Sequence, residues 1–181
     1  MKVLMLYTSN EGQTAKIMLF IKAIIDKQFE CDCIQLTSTT EIDLSQYQAV
    51  IIGTSIRYGY YSKLIKQFID ANTAQLNQIY GAFFGVNLVA RKPNKDNPET
   101  NLYTRKFLAK LTWQPKLKAV FAGALFYPRY NWFDRNMIRM IMWLGKGETD
   151  ISIPMIEYTN WNKVQEFAET FIKNNLDLSS S

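Results

Sequence analysis

Unbroken apolar runs alternate along the chain with stretches whose apolar positions recur every three to four residues. Val3–Tyr7 is an apolar run of the kind that forms a buried strand. In Gln13–Lys27 the residues Ile17, Met18, Ile21, Ile24 and Ile25 fall on one face at helical spacing, which predicts a helix. Cys31–Leu36 and Ala49–Gly53 predict the second and third strands. Ser62 is placed to cap a helix carrying Leu64, Ile65, Phe68 and Ile69 inward. Ala82–Val89 predicts a fourth strand, a polar stretch from Arg91 to Thr100 a loop, and the region near Leu102–Leu111 a helix. Ala119–Phe126 predicts a fifth strand. Thr159 or Asn160 is placed to cap a last helix with Val164, Phe167, Ala168 and Phe171 inward, ahead of a polar tail at 177–181.

Alternating strand and helix patterns at this spacing predict a five-stranded parallel sheet with helices on both faces. No linker or repeat divides the chain, so residues 1–176 are expected to form one domain. The segment 127–150 breaks the alternation, and Ile151-Ser152-Ile153 resumes a strand-like pattern; this predicts an insertion that splits the last strand. In sheets of this class ligands bind beyond the carboxyl ends of the strands. The loops expected there are 8–14, 53–61 and 87–100.

The first of these loops is Thr8-Ser9-Asn10-Glu11-Gly12-Gln13-Thr14. A helix N-terminus offers free N–H groups and partial positive charge to an anion. Thr8, Ser9 and Thr14 add hydroxyls, Asn10 and Gln13 add amides, and Gly12 lets the backbone come close. With no Lys in the loop, the Walker-type phosphate pattern is absent. Neutral donors suit a phosphate monoester such as that of FMN; an ordinary N-capped helix uses the same residues.

The third strand ends in Thr54, Ser55, Ile56, Arg57, Tyr58 and Gly59, followed by Tyr60 and Tyr61. Aromatic walls and close backbone suit a flat ring system. The fourth ends in Asn87, Leu88, Val89, Ala90 and Arg91, whose backbone is expected at the ring's other edge. Arg91 is a candidate to stabilise a reduced, anionic flavin or a substrate carboxylate. The alternatives are an aromatic loop packed on the next helix and a solvated basic loop.

The 181 residues are 48% hydrophobic and 20% charged, and none is histidine. That excludes His-based triads, His general bases and His metal sites, so an enzyme of this composition borrows its chemistry from a cofactor. No metal site is expected. Cys31 and Cys33 share a strand face and are expected to be reduced, which is compatible with a cytosolic setting. Residues 2–7 carry one Lys and a charged helix pattern follows, so no secretory signal is expected. No apolar run reaches the roughly 18 residues of a membrane span.

Charge is uneven. From Arg91 to Lys146, twelve Lys/Arg face three Asp/Glu, a balance of +9 within a net +5, which leaves −4 for the remainder. A basic half of this kind suits an anionic partner. Within it, the stretch from Asn131 to Lys146 combines Met137, Ile138, Ile141, Met142 and Leu144 with Arg135, Arg139, Trp132 and Trp143. That composition suits a helix lying in an anionic bilayer surface, with Arg129, Trp132, Arg135, Arg139, Trp143 and Lys146 as the contacts. Its alternatives are a helix packed on the core and an interface in a homo-oligomer. No nucleic-acid partner is expected.

The three loops, with Asn87-Leu88-Val89-Ala90-Arg91-Lys92-Pro93, Ala122-Gly123-Ala124-Leu125, Tyr127-Pro128-Arg129-Tyr130 and Gly147-Glu148-Thr149-Asp150, resemble the flavodoxin-like, quinone-dependent protoporphyrinogen IX oxidases of bacteria. The similarity runs from Lys2 to the last helix. It implies FMN as cofactor, protoporphyrinogen IX as substrate and menaquinone or ubiquinone as acceptor. It also implies a peripheral place on the cytoplasmic face of the inner membrane, within heme biosynthesis. Thr8 to Thr14 would hold the FMN phosphate, while 54–60 and 87–92 would border the ring. The chain departs from the usual pattern at Asn10-Glu11 before Gly12, where flavodoxins place Thr-Gly. Two other functions share the fold: a small electron carrier, usually acidic where this chain is basic, and an NAD(P)H:quinone reductase, for which no second Gly-rich site is seen.

Overall fold

A computed structural model of the protein describes residues 1–125 and 155–179, together with Asn136, Ile138, Arg139 and Met142 from the segment between. Five strands form the main sheet: β1 (Lys2–Tyr7), β2 (Glu30–Gln35), β3 (Ala49–Arg57), β5 (Tyr80–Asn87) and β6 (Leu117–Ala122). Their order is β2-β1-β3-β5-β6 and every neighbouring pair is parallel. The two-residue β4 (Tyr60–Tyr61) folds back antiparallel on the end of β3.

Strand side chains alternate between faces, and both faces of the sheet are covered. Val3, Met5, Ala49, Ile51, Ala82 and Phe84 pack on α1 (Gln13–Ile25) and α5 (Trp161–Ser179). Leu4, Leu6, Val50, Ile52 and Phe83 pack on α2 (Lys63–Ala71), α3 (Thr73–Leu76) and α4 (Leu102–Leu108). Each fully buried aliphatic or Phe side chain contributes roughly 1.5–3 kcal/mol of burial free energy, opposed by the entropy of ordering the chain. The expected fold class is therefore the observed one.

The element ends differ from the sequence reading in ways that matter for the site. β3 runs four residues beyond Gly53, because Ile56 and Arg57 pair with Tyr61 and Tyr60 across a two-residue turn. Thr54, Ser55, Ile56 and Arg57 are thus strand residues, not loop. Ser62 occupies the N-cap of α2, but its side chain makes no capping bond. β5 stops at Asn87, and Leu88–Arg91 turn into a short 3-10 helix. The helix expected near Leu102–Leu111 ends at Leu108. Asn160 caps α5, accepting from the amides of Asn162 and Lys163 at 3.1 and 3.3 Å. Thr159 instead donates to the Ala122 carbonyl at 2.7 Å. α5 continues to Ser179, into the expected tail.

After Ala122 the chain leaves the main sheet. β7 (Ala124–Leu125) pairs antiparallel with β8 (Ile156–Glu157), so the inserted segment departs from and returns to a two-stranded ladder. Met142 is fully buried against Leu125, with Leu88, Ile138, Ile156 and Tyr158 around them. The apolar residues Ile138 and Met142, expected to join a lipid-facing stripe, are turned to the domain; Arg139 is exposed. Arg129, Trp132, Arg135, Trp143 and Lys146, and the strand expected at Ile151-Ser152-Ile153, lie outside the described residues.

Candidate functional site

A cleft of about 440 Å³ opens at the carboxyl ends of β1, β3 and β5, where parallel sheets present their ligands. The turn after β1 and the start of α1 close one end through Ser9, Glu11, Gln13 and Thr14. The end of β3 and its turn form one wall with Ser55, Ile56, Arg57, Tyr58 and Gly59. The opposite wall is Val86, Asn87, Leu88 and Val89. A smaller recess of about 200 Å³ adjoins it, lined by Thr8, Asn10, Ser55, Arg57, Tyr60, Tyr61 and Ser62.

Thirteen of the seventeen expected binding residues therefore line one space or the other. Gly12, Thr54, Ala90 and Arg91 line neither. Gly12 is the N-cap of α1, at φ 98°. Thr54 is fully buried, its hydroxyl 2.9 Å from that of Thr8, so it braces the first turn against β3. Ala90 gives its amide to Asn87 Oδ1 at 2.9 Å. Arg91 donates from Nη1 to the Leu88 carbonyl at 2.8 Å, with its guanidinium 5.8 Å from the Tyr158 ring centroid. Arg91 thus holds the wall rather than forming it.

Beyond Glu11 and Val86, which adjoin expected residues, the sequence reading missed Tyr103, Gly123, Ala124 and Ile138 as lining residues. They come from α4, the end of β6, β7 and the inserted segment. Gly123 and Ala124 stand in the motif Ala122-Gly123-Ala124-Leu125, but no local pattern put any of the four at the site; the sheet order and the return of the insertion bring them to the cleft.

The anion end is less open than a bare helix terminus. Ser9 Oγ accepts the amides of Gly12 and Ala15 at 3.1 and 3.4 Å, which caps α1 internally. The amides of Gln13 and Thr14 find no acceptor among the described residues and stand at the positive end of the helix dipole. Gln13 Nε2 donates to Glu157 Oε1 at 2.6 Å and to Thr159 Oγ1 at 2.9 Å. Gln13 Oε1 is buried without a partner among the described residues. Lys16 Nζ lies 3.0 and 2.9 Å from the two Glu157 oxygens and 5.0 Å from the Trp161 ring centroid. Burial pushes the Glu157 carboxyl up, but the bonds from Lys16 and Gln13 outweigh it and hold the group below its ordinary range. Glu157, 144 residues from Gln13, thus pins the returning strand β8 to the first turn of α1.

A buried polar chain ties the two side walls together. Asn87 and Asn101 exchange amide hydrogen bonds, Nδ2 of each donating to Oδ1 of the other at 3.4 and 3.2 Å. Asn101 Oδ1 also caps α4 at the Thr104 amide and accepts the Thr104 hydroxyl at 3.2 Å. Having spent its proton there, Thr104 Oγ1 accepts from Tyr61 at 2.7 Å. Burial raises the Tyr61 hydroxyl to about 12 against the opposing bonds to Thr104 and Asn87, so it stays a neutral donor.

The tip of the first wall is the turn Tyr58-Gly59, with φ 51° and 82°. Two-residue hairpin turns with positive φ at both positions favour Asn-Gly. A tyrosine there is held at a cost of roughly 1–2 kcal/mol.

Taken together, the cleft offers an apolar slot between two backbone-rich walls and, at one end, hydroxyls with two free amides. That donor set fits a flat ring carrying a polar, anionic tail. The half-buried Glu11 also lines this end and opposes an anion there, so the hydroxyls, amides and helix dipole must outweigh its charge.

The Flavodoxin domain family matches residues 4–152. The chain is 42% identical over 169 residues to the "Protoporphyrinogen IX dehydrogenase [quinone]" of Escherichia coli K12, 93% of each chain. It is 44% identical over 172 residues to the protein of that name from Leishmania major, covering 94% of this chain and 74% of that one. Among solved structures, oxidised flavodoxin 1 from Bacillus cereus aligns at a TM-score of 0.47 with 23% identity, over 66% of this chain and 84% of that chain.

Proposed function

The chain belongs to the Flavodoxin domain family and to its branch of quinone-dependent protoporphyrinogen IX dehydrogenases, which are oxidoreductases; from that premise we propose that it oxidises protoporphyrinogen IX to protoporphyrin IX and passes the electrons to menaquinone or ubiquinone. A flavodoxin domain implies a flavin, and FMN is the form the polar end of the cleft suits. The observation that carries this reading is the cleft itself, an apolar slot closed at one end by the first turn of α1.

When bound, the flavin supplies a two-electron acceptor. The chain supplies position. Thr14 and Ser9, with the amides of Gln13 and Thr14, would hold the phosphate end. Thr8 and Asn10 would extend that donor set into the adjoining recess. Ser55 to Gly59 and Asn87 to Val89 line the slot that would receive the ring. Arg91 acts on the Leu88 carbonyl, fixing the second wall. Among the described residues, the titratable groups lining the cleft are Glu11, Arg57, Tyr58 and Tyr103. The chain has no histidine, so no imidazole takes up the protons released from the substrate's pyrrole nitrogens.

A lipophilic acceptor places the working enzyme at a membrane surface, and we assign it to the cytoplasmic face of the inner membrane as a peripheral protein. No helix of the described residues is long and apolar enough to cross a membrane. Attachment then falls to exposed cations of the basic half, Arg139 among them. Turnover assays with protoporphyrinogen IX and a quinone, run beside NAD(P)H and the same quinone, test the proposal. Quinone reduction by NAD(P)H with no oxidation of protoporphyrinogen would assign the chain to the reductases instead.

A further inference from the structure

The start of α4 exposes apolar surface although the helix is well anchored. Asn101 caps it, and Thr104 and Leu108 are buried beneath it. At 3.6 residues per turn this leaves Leu102 and Lys106 on the outward side, flanked by Tyr103 and Arg105, and all four are exposed. Leu102 and Tyr103 are the one consecutive pair of exposed large apolar residues among the described residues. A face that met only water would gain nothing from them.

The charge around this pair is one-sided. From Lys92 to Lys110 the exposed cations are Lys92, Lys95, Arg105, Lys106 and Lys110. None of them holds a carboxylate among the described residues, whereas Lys2, Lys16, Lys22 and Lys66 each do. Of the two acids in the same stretch, Asp96 is engaged by Lys163 and Glu99 stands against the five cations. Apolar and aromatic side chains set among uncompensated cations match the boundary layer of an anionic bilayer. Ile138 and Met142 turn their apolar surface to the domain, so among the described residues the apolar part of a membrane contact falls to Leu102 and Tyr103. The position of the patch fits as well. Tyr103 lines the cleft, and so does Ile138, next to the exposed Arg139.

We propose that the outer face of α4, with the basic loop that leads into it, docks on an anionic bilayer and turns the cleft toward the lipid. The inference rests on the membrane placement proposed above and names the surface that makes the contact. A long-tailed quinone then reaches the cleft from the bilayer.

The test sediments the full chain, loaded with FMN, with vesicles of phosphatidylcholine, with and without phosphatidylglycerol. Lys106→Gln combined with Lys110→Gln should weaken binding to the anionic vesicles about thirtyfold at low salt, roughly fivefold per cation, and the loss should shrink as salt rises. Leu102→Ser should weaken it about fivefold at low and high salt alike. A control pair, Lys27→Gln with Lys173→Gln, removes the same charge on the other face of the sheet and should stay within about twofold of the parent. Thermal midpoint, FMN affinity and turnover with a soluble dye should be parental in every variant, while turnover with a long-tailed quinone in vesicles should fall with binding. Equal losses in the control pair, or α4 variants that bind like the parent, overturn the docking face. A parent that ignores anionic vesicles overturns both the face and the peripheral placement. Binding to soluble polyglutamate that matches vesicle binding and ignores Leu102→Ser assigns the face to an acidic protein and overturns the bilayer. A parent that sediments through this face but does not oxidise protoporphyrinogen IX supports the face and overturns the function proposed above.

Discussion

The Tyr61 hydroxyl lies 2.7 Å from Thr104 Oγ1, a bond between residues 43 positions apart. It closes the chain of side chains that runs through Asn101 to Asn87, and so makes the two walls of the cleft one body. A Cβ at position 85 would stand 2.0 Å from the Tyr61 oxygen, so the glycine on β5 is what admits the tyrosine.

Thr104→Val should therefore strand the Tyr61 hydroxyl and one acceptor of Asn101. Each stranded buried group costs about 1–3 kcal/mol, which lowers the thermal midpoint by several degrees in a domain of this size. Gly85→Ala should destabilise through overlap with Tyr61, and less so in a Tyr61→Phe background. Equal losses in both backgrounds, measured by denaturant midpoint, would show that Tyr61 and Gly85 do not interact.

Affinity for FMN should exceed that for riboflavin by about a hundredfold or more, since two or three charge-assisted bonds to phosphate each contribute roughly 1.5–3 kcal/mol. Titration of the apoprotein by flavin fluorescence measures both. Equal affinities would remove the phosphate from the end lined by Ser9, Gln13 and Thr14.

Arg91→Ala should lower stability by about 1 kcal/mol through loss of the bond to Leu88, and should lower turnover while FMN stays bound. Lysine at 91 should not restore turnover, because it cannot both bond the carbonyl and lie over Tyr158 as a planar guanidinium does. Full activity in Arg91→Ala would leave the wall indifferent to this contact.

Glu157 carries a carboxyl held below its ordinary range in the folded protein. A depressed folded value means its contribution is fully present above the unfolded value of about 4.3 and is lost as pH falls through the folded one. With the Glu157 side chain a quarter exposed and that of Lys16 half exposed, the contribution is about 1 kcal/mol or less. The midpoint difference between parent and Glu157→Gln should be full at pH 7, shrink as pH falls below about 4.3 and vanish only below the depressed folded value. A difference that does not shrink at all between pH 7 and the acid limit of folding would assign the effect to packing.

Arg139→Glu should weaken binding to anionic vesicles severalfold at low salt, at roughly 1 kcal/mol per basic residue near the surface, and the effect should fade as ionic strength rises. Sedimentation with vesicles reads this directly; binding unaffected at low salt would take Arg139 out of the membrane contact.

Much of the architecture was legible in the chain itself. A parallel sheet covered on both faces turns its strands into continuous apolar runs, and a helix against it repeats every 3.6 residues; both signals are local. The same holds for the two strand-end loops and the turn after β1, where hydroxyls, amides, glycines and aromatics cluster within a few consecutive residues. What tertiary structure alone decided is which of those residues face the cleft and what they spend their polar atoms on. Thr54 and Arg91 read as ligand contacts, yet one braces Thr8 and the other holds the Leu88 carbonyl. Glu157 reaches Gln13 from 144 positions away, a pairing set by β7 and β8 rather than by any motif. Ile138 and Met142 carry the same apolar stripe whether they meet lipid or protein, because periodicity measures removal from water and not what replaces it; the buried Met142 against Leu125 gives the answer for these two residues.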